Sequence, residues 1–492
     1  MELEAALYKY FTYRSFRPLQ KEIIETILSG QDTVALLPTG AGKSICFQLP
    51  ALLMPGLTIV ISPLIALMQD QVDSLLRRNI PATYISSTLS HTEVVQRIEL
   101  LQLQKYKLLY IAPERLQHKK FLILCKQLQV SCIIIDEAHC ISEWGHDFRP
   151  PYLQIASFIA ELPHRPVIAA FTATATKHTL QEITESLKLR SPKIYVASFY
   201  RSNLHISVIH TTSFQLQEIA VLLLLKKHQG ESGIIYVSTR TAAQNVCEMI
   251  KKYLSNQVSV GFYHGELAAQ QRQYIQKLFM ANKIDVIVAT SAFGMGVDKA
   301  NISFVIHFHF PGSIEAYYQE IGRAGRGGQP AQCYLLFNEK NQDIHETLQS
   351  QITSPAAQTH KLQRLEAMLA YTYTKKCRMQ MILDYFNEQK SSKCNNCDSC
   401  IQPQFAQQPF FSALVSKKQC NEIQALHAWR LQLQKAHALS HYAEVLTDTQ
   451  LLLAYVIQPN SEADFAKIPG CGRGWKIRWA SHFLLKSDKI QV

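Results

Sequence analysis

The stretch Pro38-Thr39-Gly40-Ala41-Gly42-Lys43-Ser44 has the residue types of a phosphate cradle. Gly40 and Gly42 let the backbone curl with its N–H groups inward, and Thr39 and Ala41 complete the loop. Lys43 can reach outer phosphates, and the Ser44 hydroxyl can ligate magnesium at a positive helix N-terminus. The strict pattern has glycine where this chain has Leu37; taken alone, the loop is also compatible with a Gly-rich strand-to-helix turn. A second constellation settles the chemistry. The apolar run Cys132-Ile133-Ile134-Ile135 ends in Asp136-Glu137-Ala138-His139, placing two carboxylates at the carboxyl edge of a strand, where an open α/β sheet binds its ligand. Asp136 can hold magnesium through water, and Glu137 can orient or deprotonate the water that attacks a terminal phosphate. An acidic pair after a strand is otherwise ordinary surface; cradle and pair together read as a nucleotide-hydrolysing site. His139 has no neighbouring nucleophile and reads as a network residue beside the phosphate.

Other stretches could serve that site. In Phe16-Arg17-Pro18-Leu19-Gln20 the Gln20 amide can pair with a base edge while Tyr13 and Arg17 stack on the ring; an amphipathic helix start is the alternative. Phe171-Thr172-Ala173-Thr174-Ala175-Thr176 offers small hydroxyls that suit a coupling loop or a plain cap. Cys377, Cys394, Cys397 and Cys400 form C-x16-C-x2-C-x2-C, four thiolates able to close a tetrahedron around structural zinc. Cys46, Cys125, Cys132, Cys140, Cys247, Cys333, Cys420 and Cys471 lack such spacing and read as buried thiols.

The elements that must position these residues follow from the apolar pattern. Buried parallel strands are expected at Thr33–Leu37, Thr58–Ser62, Leu108–Ala112, Cys132–Asp136 and Val167–Phe171, and a second alternating set at Gly233–Val237, Val258–Phe262, Asp285–Ala289, Phe304–Phe308 and Cys333–Phe337. Two tandem α/β parallel-sheet units invite a cleft between them. A helical, cysteine-rich stretch follows to about residue 404, then a Pro- and Gln-containing linker and short helices. The chain of 492 residues exceeds one core, and its 47% apolar content excludes disorder. No apolar run spans a bilayer and Met1-Glu2-Leu3-Glu4 opens no signal peptide, so a cytoplasmic, nucleoid-associated protein with reduced thiols is expected. A net charge of +12 points to a polyanion, nucleic acid first, or else to mere solubility.

In order along residues 5 to 400, FRPLQ, PTGAGKS, ISPLIALMQDQV, APERL, DEAHCISEWGHDFRPPY, FTATAT, ATSAFGMGVDK and YYQEIGRAGRGG resemble the RecQ-type DNA helicases of helicase superfamily 2. The resemblance implies two RecA-like domains, residues 1 to 197 and 198 to 340, that bind ATP and magnesium and move 3′ to 5′ on single-stranded DNA while opening the duplex, in DNA repair or recombination. Gln20 would recognise adenine, with Tyr13 and Arg17 around its ring. Arg323 and Arg326 would be arginine fingers, a role the physics supports because a guanidinium crossing the cleft stabilises charge on the transferring phosphoryl group. Trp144 and Phe148 would stack on bases and Arg149 pair with a phosphate in an aromatic-rich loop. The family's four-cysteine zinc module supports the thiolate assignment, over residues 341 to 404. Its usual winged-helix domain has no counterpart: after a linker at 405 to 420, residues 421 to 492 resemble the helical HRDC domain, with Arg473 and Lys476 as phosphate contacts near a Gly-rich turn. An RNA remodeller, or a DNA-binding scaffold with a decayed motor, would share parts of this pattern, although Lys43, Asp136, Glu137, Arg323 and Arg326 all stand intact.

Overall fold

The computed structural model describes residues 2–142, 148–255, 257–294, 299–338, 355–389, 392–401, 417–441, 443, 445–471 and 475–483. Its first half is a seven-stranded parallel sheet, formed by β1 Thr33–Leu36, β2 Leu57–Ile61, β3 Ala82–Ile85, β4 Leu108–Ile111, β5 Val130–Ile135, β6 Val167–Thr172 and β7 Lys193–Val196, in the order β3-β4-β2-β5-β6-β1-β7. The second is a six-stranded parallel sheet of β8 Leu204–His210, β9 Ser232–Tyr236, β10 Val260–Tyr263, β11 Val286–Ala289, β12 Ile302–His307 and β13 Ala331–Phe337, ordered β10-β11-β9-β12-β13-β8. Strands such as Thr-Val-Ala-Leu and Leu-Thr-Ile-Val-Ile are buried at every position, because helices cover both faces of each sheet. The expected α/β class and all ten expected strands are present, give or take end residues. The three strands absent from the sequence reading, β3, β7 and β8, lie at sheet edges. In β7 three of four residues face solvent, which leaves no continuous apolar run to see.

The cysteine-bearing segment does not stand apart. Leu365, Met368 and Tyr371 of helix Pro355–Tyr373, Ile382 and Leu383 of helix Arg378–Tyr385, and Phe386 share one apolar core with β13 and β8. Asp398 accepts the Val208 backbone N–H at 2.8 Å and also takes two bonds from the Arg378 guanidinium. The exposed edge of β8 is thereby capped by a carboxylate rather than left open for pairing.

Helix Lys417–Ala436 begins inside the stretch read as a linker and packs on helix Asp448–Ile457, which packs onto the second sheet unit. The contact is with helix Phe214–Lys227, whose Ile219-Ala220-Val221-Leu222-Leu223-Leu224-Leu225 is buried on every side. A helix apolar all round needs cover on both faces; the sheet supplies one and the C-terminal helices the other. Lys226 Nζ donates to the carbonyls of Tyr455 at 3.0 Å and Val456 at 3.1 Å, closing the last turn of the docked helix.

Candidate nucleotide-binding cleft

Strand β1 delivers the phosphate loop and β5 delivers the acidic pair, and both open at the same sheet edge. Gly40 and Gly42 have φ of 89° and 83°, a region only glycine enters without strain. At Gly42 a Cβ would stand 2.5 Å from the Gln20 amide nitrogen, so a side chain there would displace the Gln20 amide. Gln20 is buried and donates to the carbonyls of Gly42 at 3.1 Å and Ala41 at 3.3 Å, while its oxygen accepts the Arg17 N–H at 2.9 Å. Arg17 donates from its guanidinium to the Gly40 carbonyl. The two residues expected to read a base thus also buttress the loop that holds phosphates. Tyr13 is half exposed at the rim.

Lys43 Nζ lies 3.3 Å from Glu137 Oε1, and Glu137 Oε2 lies 3.4 Å from His139 Nδ1. His139 is buried and its Nδ1 is 2.8 Å from Thr172 Oγ1, so the network role foreseen for it joins the acidic pair to the FTATAT stretch. Glu137 sits in the left-handed region, φ 50° and ψ 48°, a strained backbone of the kind retained where a side chain must be aimed. Burial and the Glu137 charge push the Asp136 carboxyl up to about 6. Burial would raise Glu137 too, but Lys43, His139 and Arg323 outweigh it and hold that carboxyl below its usual range. Lys43, His139 and Arg323 thus make Glu137 the easier carboxyl of the pair to ionise, whereas burial and the Glu137 charge make Asp136 the harder.

From the second unit, the turn after helix Ile314–Ile321 brings Arg323 and Arg326 to the same cavity. This cleft, about 520 Å³, is lined by Tyr13, Arg17, Gln20, Thr39, Gly40, Gly42, Lys43, Ser44, Asp136 and Glu137 on one side and by Gln319, Arg323 and Arg326 on the other. Arg323 is buried and donates to the Gly294 carbonyl. Between the two units, Gln276 Nε2 donates to Asp70 at 2.9 Å. Lysine and guanidinium groups facing two carboxylates in one polar, concave space suit a nucleoside triphosphate with its divalent cation.

The predicted base-stacking loop is only partly in view: Trp144 lies outside the described residues, Phe148 is half-buried, and Arg149 donates to the Pro63 carbonyl at 2.9 Å. Arg473 also lies outside them, and Lys476 stands in the short helical segment Lys476–Ala480.

Cys377, Cys394, Cys397 and Cys400 converge with all four sulfurs within 4.8 Å of one another. Two of the sulfur pairs are 3.9 and 4.0 Å apart; a tetrahedron with zinc–sulfur bonds of about 2.3 Å has edges of about 3.8 Å. Backbone N–H groups of Arg378 and Cys394 point at Cys397 and Cys377 sulfurs, each at 3.3 Å, the outer support that thiolate ligands require. The donor set fits zinc and leaves no position for a substrate. Cys46, Cys125, Cys132, Cys140, Cys247, Cys333 and Cys471 are buried, as expected, and the side chain of Cys420 lies outside those described.

The sequence matches the DEAD/DEAH box helicase family over residues 17–183, the helicase conserved C-terminal domain over 215–328, and the RecQ zinc-binding family over 341–401. The ATP-dependent DNA helicase RecQ of Synechocystis is 42% identical over 342 residues, covering 68% of this chain and 71% of that protein. The chain belongs to the RecQ helicase family. RecQ of Pasteurella multocida is 41% identical over 398 residues, 81% of this chain and 62% of that one; the chain spans 62 to 66% of the length of the first curated RecQ relatives. The fold is that of S. cerevisiae Dbp5 solved with RNA and ADP BeF3, with a TM-score of 0.58 at 16% identity over 82% of this chain and 96% of that one. Among the described residues no helix is long and apolar enough to cross a membrane.

Lys43, Asp136, Glu137, Arg323 and Arg326, from separate motifs, line one cleft. What sequence reasoning passed over is Arg201, between the two sheets, whose guanidinium reaches the Thr39 carbonyl at 3.3 Å. Its only signal was a charged residue at a domain junction.

Proposed function

We propose that this RecQ family member is an ATP-hydrolysing helicase that translocates 3′ to 5′ on single-stranded DNA and unwinds duplex DNA in repair or recombination. The observation that carries this reading is the meeting of Arg323 and Arg326 with Lys43, Asp136 and Glu137 across one cavity. Gln20, Tyr13 and Arg17 take the base, and the loop from Thr39 to Ser44 takes the phosphates. Glu137, kept ionised by Lys43 and His139, orients the attacking water and receives its proton; Arg323 and Arg326 stabilise charge spreading over the transferring phosphoryl group. Magnesium, when bound, would neutralise phosphate charge, and Ser44 and Asp136 would hold it. The contact of His139 with Thr172 joins this site to the FTATAT stretch, and Phe148 and Arg149 are the candidate DNA contacts with Trp144. Residues 1 to 197 and 198 to 340 form the motor and 341 to 404 the zinc module. Residues 421 to 492, after the 405 to 420 connection, form an HRDC-like unit offering Arg473 and Lys476 to phosphates.

The deciding experiment is strand displacement on duplexes with a 3′ or a 5′ overhang, with ATP or a non-hydrolysable analogue. Displacement from the 3′ overhang with ATP alone is expected; displacement from the 5′ overhang alone would overturn the polarity. The second reading is an RNA remodeller, since the same two-unit fold carries RNA in Dbp5. Stimulation of ATP turnover by single-stranded RNA and not DNA would favour it.

A further inference from the structure

We propose that Arg201, in the hinge between the two sheets, is a positioning residue that ties the turn bearing Arg323 and Arg326 to the phosphate loop. This inference rests on the ATPase reading above. The Arg201 Nη2 donates to the carbonyls of Ala324 at 3.1 Å and Gly325 at 3.0 Å, which lie between the two cleft arginines in sequence. The other terminal nitrogen donates to Thr39 in the phosphate loop at 3.3 Å, and Nε donates to Asn203 at 3.1 Å. Asn203 in turn donates to the carbonyls of Gly325 at 2.9 Å and Gln329 at 2.8 Å. A planar fork spreads its N–H donors over three nitrogens in fixed directions and so reaches carbonyls of both units at once, whereas an ammonium holds its three donors on one atom.

The fork's root is also fixed. Glu388, beyond the first zinc-site cysteine, accepts the Phe199 N–H at 2.7 Å and the Ser198 hydroxyl at 2.5 Å. Asn396, between Cys394 and Cys397, donates to the carbonyls of Ser202 at 3.0 Å and Leu204 at 3.1 Å. The Phe199 ring stacks on Phe386, with centroids 4.1 Å apart and planes 5° from parallel. The zinc module therefore grips the hinge on both sides of Arg201. Two of the guanidinium's carbonyl partners move with the second unit, whereas Thr39 moves with the first. The Thr39 bond is the one that must break when the cleft opens, so Arg201 favours the closed arrangement in which both arginines face the phosphates.

The test compares wild type, Arg201→Ala, Arg201→Lys and Glu388→Ala for DNA-stimulated ATP turnover, melting temperature, and closure reported by a fluorophore pair across the cleft with a non-hydrolysable analogue. For Arg201→Ala we expect kcat to fall roughly tenfold to a hundredfold with KM for ATP changed less than about threefold, because misplacement of the arginines by an ångström acts on the transition state. Closure should be reduced and the melting temperature unchanged. Arg201→Lys should fall between, and Glu388→Ala should show the same signature more weakly. A kcat for Arg201→Ala within about twofold of wild type would overturn the proposal, as would a parallel loss of kcat and stability without loss of closure. If the alanine variant does not fold, Arg201→Lys carries the same readings and criteria. A wild-type protein with no DNA-stimulated turnover would instead remove the ATPase reading on which the inference stands.

Discussion

Glu137 has a lysine on one oxygen and a histidine beside the other. That pairing argues for two separable substitutions. Glu137→Gln keeps shape and most contacts but removes the base, so phosphate release should fall by about a hundredfold or more while a fluorescent ATP analogue still binds. Turnover at the wild-type rate would remove Glu137 from its proposed role. Lys43→Ala removes the outer-phosphate contact and one of the cations facing Glu137; ATP turnover should vanish while single-stranded DNA, held elsewhere, still binds in a shift assay. These residues were legible in the sequence because phosphate chemistry constrains types and spacing together. The hydrogen bonds of Gln20 to the phosphate loop were not, since an amide that could read a base is indistinguishable in sequence from one that braces a backbone.

At the scale of elements, legibility followed burial. Strands with helices on both faces announce themselves as apolar runs, whereas β3, β7 and β8 are edge strands whose partners on one side are solvent or another segment. For β8 that segment is the zinc module, through Asp398 and the Val208 N–H. The C-x16-C-x2-C-x2-C spacing predicted the thiolate cluster but could not show that it also holds a sheet edge and the hinge. The purified protein should contain about one zinc per chain by elemental analysis, and Cys397→Ser should lose it together with melting temperature, because metal binding free energy is folding free energy here. Hydrogen exchange locates the consequence: the Val208 and Phe199 amides should lose protection before the centre of either sheet does. Unaltered protection at both amides in zinc-free protein would separate the metal from the edge and the hinge.

For the whole molecule, the packing changes the status of the C-terminal helices. Every motor motif precedes them, and the sequence therefore presents them as an appendage. Yet residues 219 to 225 of the helix Phe214–Lys227 are apolar all round, and their outward face needs cover. Leu222 and Leu223 stand one turn before Lys226, which closes the docked helix through the Tyr455 and Val456 carbonyls. Each large apolar side chain uncovered costs about 1.5 to 3 kcal/mol. A chain ending at residue 416 should therefore melt several degrees lower and self-associate in sedimentation runs, and polar replacement of Leu222 and Leu223 in that truncated chain should restore a monomer. Burial, partly offset by Glu422, pushes Lys226 from its ordinary 10.5 down to about 8. Between those values the unfolded chain binds more protons than the folded one, so stability should rise as pH climbs from about 8 towards 10.5. Lys226→Met should lack that increment when the two proteins are melted side by side across this range. A truncated chain that stays monomeric with an unchanged melting temperature would mean that the second unit is covered without its tail.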